Sequence, residues 1–274
     1  MFQNVLAAEQ VKLLRRPLLW ITLGILGGLI LFLMIGIFTF GGAGELTAFL
    51  WPYSLVTLLS IAAQPLFGGV VVVVLAGFVI AQGYTWRTLH LWLSHGVSRP
   101  VWLNATFSAL LLPLLLLVVT PLLLGGIATA FFTYQLEGAL AWNQVNWGYL
   151  LLGVLLTAYA LLPYATLTGL LAVAGRSPAA ALGGGIAFLF VENILAEILS
   201  FAGDIGARIM QFLPWMLGNG LLQFNQAAVD LQVAAAEDAL QLLNPGPAML
   251  GIAAYTLLFA GLTLWLFRRQ DLTG

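Results

Sequence analysis

Few side chains in this sequence could do chemistry, and Glu192 has the most unusual setting among them. It stands beside Asn193 in an otherwise apolar run, where an ionisable group is costly and usually faces a bundle interior or a water-filled cavity. The pair is therefore a candidate for lining a translocation path or binding a cationic group. A second interpretation stays open and is favoured: Glu192 pairs with a nearby backbone or amide group and supports a break in its helix.

The sequence motifs of enzymes and metal sites are missing. A phosphate-binding P-loop needs Gly-Lys-Ser or Gly-Lys-Thr, and the only lysine is Lys12, so we expect no ATP hydrolysis by that route. His90 and His95 have no neighbouring carboxylate in the sequence, and they fit polar positions on an interfacial helix better than a metal site. Because cysteine is absent, disulfides and thiolate sites are excluded. We predict no catalytic residue, metal or cofactor in this chain.

The elements that hold these residues are predicted to be membrane helices. Of 274 residues, 62% are apolar and only 7% are charged, which is too little polar surface for a soluble globule. No basic stripe is present, so we expect no nucleic-acid partner. A spanning helix needs about 20 apolar residues to cross about 30 Å of hydrocarbon. The sequence predicts an all-α integral membrane protein with one transmembrane domain over 1–274 and spans at 18–40, 58–81, 101–124, 148–174, 179–200 and 247–267.

Charge placement predicts how these spans are oriented. Arg208 and most of the carboxylates lie on or toward one side of the predicted membrane. Since lysine and arginine near span ends are retained in the cytoplasm, the opposite side, which holds the other basic residues, is predicted to be cytoplasmic along with both termini. Those basic residues are Lys12, Arg15, Arg16, Arg87, Arg99, Arg176, Arg268 and Arg269.

The segments between the spans are predicted to be more than simple loops. Residues 1–17 fit an interfacial helix, and 41–57 fit an outer loop in which Trp51 anchors the chain at headgroup level. The stretch 201–243 is predicted to be an outer helical cap. Its apolar first half dips back into the bilayer or lies on it, and 221–243 forms a helix with one wet face.

Small residues and prolines predict close packing and irregular helices. Gly24 and Gly28 form a G-x-x-x-G pair, and the fifth span carries a glycine triplet, Gly183, Gly184 and Gly185. Such surfaces let helix backbones approach closely, either within one chain or between chains. Proline inside a helix removes a backbone hydrogen bond, so we expect breaks or kinks at Pro113, Pro121 and Pro163.

The cytoplasmic connector 82–100 is the most distinctive segment of the chain. Trp86, Leu89, His90 and Leu93 share one face by helical periodicity, and a glycine is placed to end the helix. An aromatic ridge with arginine beside it is typical of a protein contact. A helix lying on the membrane surface would have the same composition, so composition alone leaves both interpretations open.

A family resemblance favours the protein contact. The connector runs Thr85-Trp86-Arg87-Thr88-Leu89 and ends in Gly96-Val97-Ser98-Arg99. This pattern resembles the cytoplasmic loop of ABC-2 type transporter permeases, and the order of six spans, with Pro65-Leu66 in the second and Leu213-Pro214 after the fifth, is similar as well. The chain departs from the family at Gln82-Gly83-Tyr84, where a glutamate usually precedes the threonine, and at Asn104, which is often a lysine. Packing by Trp86 and Trp92 would therefore carry more of the contact.

The resemblance implies a fold, partners and a mechanism. A permease subunit of a prokaryotic cytoplasmic membrane would have a coupling helix in 82–100, which contacts a separate ATPase subunit, and re-entrant helices after the fifth span. ATP and Mg²⁺ would bind the ATPase subunit. The permease would be a homodimer or pair with a related permease, with the glycines of the first and fifth spans at the interface. The residues assigned to ATPase coupling are Thr85, Trp86, Arg87, Leu89, His90, Trp92, Leu93 and Arg99.

Two functions of other classes stay open. One is an ion- or proton-coupled secondary carrier, which usually has charged groups near the midplane and an internal repeat; the sequence offers only Glu192, off centre, and no repeat. The other is a membrane anchor or scaffold that recruits a soluble partner without transport. For an exporter, the apolar interior favours lipids, hydrophobic drugs and peptides over polyanions.

The predicted orientation can be tested with single cysteines, because the chain has none of its own. A His90→Cys variant should resist a membrane-impermeant maleimide in intact cells and react after permeabilisation. A Glu45→Cys variant, in the predicted outer loop, should react in intact cells and serves as the control. Labelling of His90→Cys from outside would contradict the orientation and the coupling role of the connector.

Overall fold

The structure is almost entirely helical. The computed structural model describes residues 1–41, 47–85, 92–229 and 242–270, and these residues contain no β-strand. The prediction of an all-α protein is confirmed. The helices are α1 (Phe2–Leu14), α2 (Pro17–Phe40), α3 (Tyr53–Ala63), α4 (Val70–Thr85), α5 (Arg99–Glu137), α6 (Trp147–Ala160), α7 (Leu162–Gly175), α8 (Pro178–Ser200), α9 (Gly203–Met210), α10 (Pro214–Leu222) and α11 (Pro245–Arg269).

The chain is a multi-pass membrane protein. Two of its long apolar segments combine elements, because a π-helical turn at Pro65–Gly69 leads into α4, and α6 continues into α7. The described residues contain six helical segments that are long and apolar enough to cross a membrane: Pro17–Phe40, Pro65–Tyr84, Arg99–Glu137, Trp147–Gly175, Pro178–Ser200 and Pro245–Arg269.

The second predicted span is interrupted by a proline. The helix α3 already begins at Tyr53, inside the predicted outer loop 41–57. It ends at Ala63, and the next residue, Gln64, has an extended backbone (φ −60°, ψ 135°). Proline at the next position disfavours a helical conformation for the residue before it, so the break at Gln64 follows from Pro65.

Trp51 is also not a headgroup anchor on the surface, because only 7% of it is exposed. Both features correct the sequence prediction.

The helix α5 is much longer than the predicted span 101–124. Its 39 residues correspond to about 58 Å of helix, against about 30 Å of hydrocarbon. It ends where Gly138 adopts a left-handed conformation (φ 72°) and donates its N–H to the Tyr134 carbonyl at 2.9 Å, a common helix end. Glycines do not stop it earlier, because Gly125 packs closely against Leu58 and Ile30.

The three prolines expected to break or kink helices behave differently. Pro113 and Pro121 lie inside α5, which continues through both. At Pro163 the expectation holds, since α6 ends at Ala160 and a new helix begins at Leu162. Proline is well tolerated in the first turn of a helix, and Pro163 is the second residue of α7.

The helices α2 and α5 run parallel and pack along their length. Gly27 lies against the Leu124 side chain, and further along the rings of Phe38 and Phe132 stack with centroids 4.6 Å apart. The helix α5 also packs against α3, α4 and α6. It is therefore the element around which the first half of the bundle is organised.

The leader helix α1 packs against α5. Its buried residues are Val5, Glu9 and Leu13, which lie on one helical face. Glu9 is only 1% exposed, and its Oε2 accepts a hydrogen bond from Lys12 Nζ at 3.1 Å, which makes the two residues an ion pair. Burial lowers the pKa of the Arg16 guanidinium, and the Glu9 carboxylate opposes that shift. A helix is therefore present in the leader and packs against the protein; its position at the membrane interface stays a prediction.

After α8 the chain folds back into the bundle. Leu217 and Leu221 of α10 are buried against Leu156 and Ala160 of α6, and α10 also packs against α11. A 3-10 helix at Gln223–Ala228 follows. Of the predicted helix over 221–243, Leu221 and Leu222 end α10 and Gln223–Ala228 form the 3-10 helix, while 230–241 lie outside the described residues.

Candidate coupling region and buried carboxylate

The Gly-Val-Ser-Arg run forms a tight joint between two helices. Gly96 adopts a left-handed conformation (φ 77°) and donates its N–H to the Leu93 carbonyl at 3.1 Å. Val97 donates its N–H to the Trp92 carbonyl, also at 3.1 Å, and is buried. These two hydrogen bonds and the buried side chain make a Schellman helix end. The next helix, α5, begins two residues later, at Arg99.

The coupling residues that the structure describes are built into the protein itself. Trp92 and Leu93 are partly buried and pack against the main hydrophobic core. Thr85 is the last residue of α4. Trp86, Arg87, Leu89 and His90 lie outside the described residues. The face that Trp86, Leu89 and His90 were predicted to share with Leu93 stays a prediction.

Arg99 caps the end of the last span. Its Nη1 donates to the carbonyls of Phe267 and Arg268 at 3.1 Å each and to that of Gln270 at 2.7 Å. The last carbonyls of a helix have no partner within the helix, and a positive charge there is stabilised by the helix dipole. The Arg99 side chain, predicted to contact an ATPase, thus joins the start of α5 to the end of α11.

Gln270 extends this connection to two more helices. Its Nε2 donates to the Val173 carbonyl of α7 at 2.6 Å, and its Oε1 accepts from the Tyr84 hydroxyl of α4 at 3.2 Å. Beside it, the Phe267 ring lies 6.3 Å from the ring of Tyr84 and 5.6 Å from that of Trp102, centroid to centroid. We call Tyr84, Arg99, Trp102, Phe267 and Gln270 the end cluster. It joins the ends of α4, α5, α7 and α11.

Of the end cluster, sequence reasoning identified only Arg99. Gln270 follows the terminal arginine pair, and Phe267 precedes it, so both read as ordinary residues of a span end. The one available signal was the concentration of aromatic side chains, Tyr84 and Trp102, on either side of the connector. That signal is weak because interfacial aromatic belts have the same composition.

Glu192 is buried and holds the start of a returning helix. It is 2% exposed, and its Oε2 accepts from the Tyr164 hydroxyl at 2.8 Å. Its Oε1 accepts from the backbone N–H of Trp215 at 2.7 Å. Trp215 is the second residue of α10, whose preceding residue Leu213 supplies no side-chain cap. A carboxylate at this position satisfies a free N–H and faces the positive end of the helix.

Both candidate path residues have partners within the chain. The Nδ2 of Asn193 donates to the Leu189 carbonyl of its own helix at 2.8 Å. The geometry of Glu192 fits the interpretation in which it pairs locally and supports an irregular helical segment. Its assignment to a translocation path, with that of Asn193, stays a prediction.

The predicted packing glycines face two directions. A side chain placed at Gly24, Gly28 or Gly183 would meet nothing within 4 Å, so these positions face out of the described part of the chain. Gly184 lies against Leu171, and Gly185 lies against Val73 and Thr168. Two glycines of the triplet, Gly184 and Gly185, therefore pack inside the protein, and Gly183 faces outward. Gly27, which sequence reasoning passed over, makes the internal contact of α2.

Comparisons with known proteins match most of this chain to one family. A family model described as "Protein of unknown function (DUF2705)" matches residues 25–273, a range that begins within α2 and includes every later span. A search of curated proteins finds no match.

Replacing Arg99 by alanine should destabilise the bundle, because three carbonyls at the end of α11 lose their charged donor. The expected loss is about 2 kcal/mol in unfolding free energy, measured by thermal unfolding in detergent micelles. Arg268→Ala removes the same charge from an exposed position at the same helix end and should leave the midpoint nearly unchanged. Equal shifts in the two variants would contradict a capping role for Arg99.

Replacing Glu192 by alanine should also lower the unfolding midpoint, since the buried Tyr164 hydroxyl and the partly buried Trp215 N–H lose their acceptor. The expected cost is about 2–3 kcal/mol, and Glu192→Gln should recover most of it because an amide oxygen can still accept from the Trp215 N–H. Glu197→Ala, which removes an exposed carboxylate from the same helix, is the matched control. If Glu192→Ala unfolds at the wild-type temperature, the carboxylate does not hold α10.

Proposed function

We propose that this chain, which belongs to the family described as "Protein of unknown function (DUF2705)", is the membrane-spanning subunit of an ATP-driven exporter. In this proposal, ATP is hydrolysed by a separate subunit that contacts the connector 82–100. The connector resembles the coupling loop of ABC-2 type permeases, and the chain lacks a P-loop of its own. The protein would lie in a prokaryotic cytoplasmic membrane with both termini in the cytoplasm.

The observation that carries this proposal is the end cluster. The connector leaves α4 next to Tyr84 and enters α5 at Arg99, and both residues contact the end of α11. Gln270 ties the same point to α7. A force applied to the connector would therefore be transmitted to four helices, α4, α5, α7 and α11. Such an arrangement suits a protein whose spans must move together when a partner subunit changes shape.

A paired assembly is supported by the outward surfaces of the first and fifth spans. Both α2 and α8 pack against α4, and both present small residues outward at Gly24, Gly28 and Gly183. Small residues allow close approach of helices in lipid. We propose that these faces meet in a homodimer or in a pair with a related permease.

Transport assays separate this proposal from its alternatives. In proteoliposomes, an exporter requires ATP and the ATPase subunit, an ion-coupled carrier requires an ion gradient alone, and a scaffold moves nothing. Glu192 offers little support for a carrier, because both of its oxygens accept hydrogen bonds from within the chain.

Replacing Trp86 and Trp92 together by aspartate should abolish the association with the ATPase subunit, because the proposed contact depends on apolar packing. The measurement is the ATP-hydrolysing activity that co-purifies with the tagged protein from native membranes, with the subunit identified by mass spectrometry. Trp142→Asp, which changes an exposed tryptophan (52% exposed) at the other end of the bundle, is the control. Gel filtration in detergent verifies that each variant is folded. Unchanged ATPase recovery with the double variant would contradict the assigned contact.

A further inference from the structure

Two cavities adjoin at the end of the bundle opposite the end cluster. The larger, of about 950 Å³, lies between the 3-10 helices Trp142–Gln144 and Gln223–Ala228. Its walls are tied together, because Asn146 donates its backbone N–H to the Ala228 carbonyl at 2.8 Å. An isolated bridge between Val145 and Val229 adds to this connection. The cavity is thus part of the folded structure and lies outside the coupling region.

The described residues that line the larger cavity are largely polar and carry no charge. Four residues with amide side chains line it: Asn143, Gln144, Asn146, whose Oδ1 also accepts the Tyr149 N–H, and Gln226. None of the described residues that line it is ionisable. Asparagine and glutamine each offer donors and an acceptor without a net charge. Such a surface suits a ligand rich in hydroxyl or amide groups, and it offers an anionic phosphate no counter-charge.

The smaller cavity, of about 300 Å³, is an apolar groove beside the first. It is lined by aliphatic residues of α3, α5 and α6 and by three tryptophans, Trp51, Trp142 and Trp147. The rings of Trp51 and Trp142 are 4.7 Å apart, and those of Trp142 and Trp147 stack at 6.2 Å with 22° between their planes. Trp147 lines both cavities, so the polar and apolar parts adjoin at this side chain.

This groove differs from an ordinary belt of interfacial tryptophans. Belt residues place their polar N–H toward water and headgroups, whereas Trp51 is 7% exposed and its Nε1 is buried. Within the described residues that nitrogen has no hydrogen-bond partner. Trp51 therefore packs as part of the groove wall, against the Trp142 ring.

We propose that the two cavities form one binding site for a neutral glycolipid. The sugar head occupies the amide-lined cavity with a ring packed on the exposed face of Trp147, and an acyl chain lies in the tryptophan groove. This proposal rests on the proposed function in one respect: the bound glycolipid would be the substrate that the exporter transports. Binding itself requires neither ATP nor the ATPase subunit.

The test is binding of a diglycosyl diacylglycerol that carries a photoreactive group in its acyl chain, with the intact chain in phosphatidylcholine nanodiscs. Crosslinks should map by mass spectrometry to α5 near Gly126 and to the segment around Trp147. A phosphatidylglycerol probe with the same chains should crosslink there at least tenfold less. Equal labelling by both probes would show annular lipid only and would overturn the proposal.

Side-chain variants separate the two parts of the site. Removing the amides with Asn143→Ala and Gln226→Ala should weaken glycolipid binding about tenfold, which corresponds to about 1.4 kcal/mol. Trp147→Ala should weaken it further, because it serves both cavities. The matched controls are Asn104→Ala, on the other half of α5, and Trp20→Ala, an exposed tryptophan of α2; neither should change binding. Unchanged binding with the amide variant, in protein that elutes as wild type on gel filtration, would overturn the assignment of the head.

The outcomes for binding and for transport are independent. If the Trp86 and Trp92 variant keeps its ATPase while the glycolipid binds as expected, the exporter proposal fails and the site stands. If the ATPase association behaves as proposed and no glycolipid binds, the site fails and the exporter proposal stands.

Discussion

A helix end that is buried within a membrane protein must find partners for the backbone groups that the helix leaves free, because neither hydrocarbon nor water satisfies them there. This chain meets the requirement with a few polar side chains from other helices. Arg99 supplies donors to the last carbonyls of α11, and Glu192 supplies an acceptor at the start of α10. With only 7% of its residues charged, the protein uses two of them to fix helix ends that local sequence does not cap. The arrangement of the later helices depends on these contacts.

The same two side chains illustrate where sequence reasoning succeeds and where it stops. That Glu192 has an unusual setting follows from one carboxylate in an apolar run. Its partners do not follow, because Trp215 and Tyr164 lie 23 and 28 residues away in the sequence. Arg99 was assigned to an external contact on the strength of a motif. The structure gives three residues of that motif internal roles: Gly96 ends a helix, Val97 fills the core and Arg99 caps α11.

Helix existence was predictable from composition, whereas helix bounds were decided by packing. Apolar length alone identified six spans. It missed the extension of α5 to Glu137. Two glycines follow the predicted end of that span, and Gly125 packs there against α2 and α3. It also missed α3 as a separate helix, because the run from Tyr53 to Thr85 is apolar throughout and Pro65 alone signals the break. The end cluster could not be predicted from the sequence, because it brings together the ends of four helices that are distant in sequence.

The uninterrupted course of α5 has a mechanical consequence. One end starts at the joint with the connector, and Gly126 and Ile127 line the tryptophan groove, about 40 Å further along the axis. A rod of this length acts as a lever, so a few degrees of tilt at Arg99 displace the groove wall by a distance comparable to a carbon–carbon bond or more. Pro113 and Pro121 lie between the two points, and each removes one backbone hydrogen bond from the helix. α5 should therefore bend most easily at these two prolines. Bending there would let one end of α5 move without changing the shape of the groove at the other end.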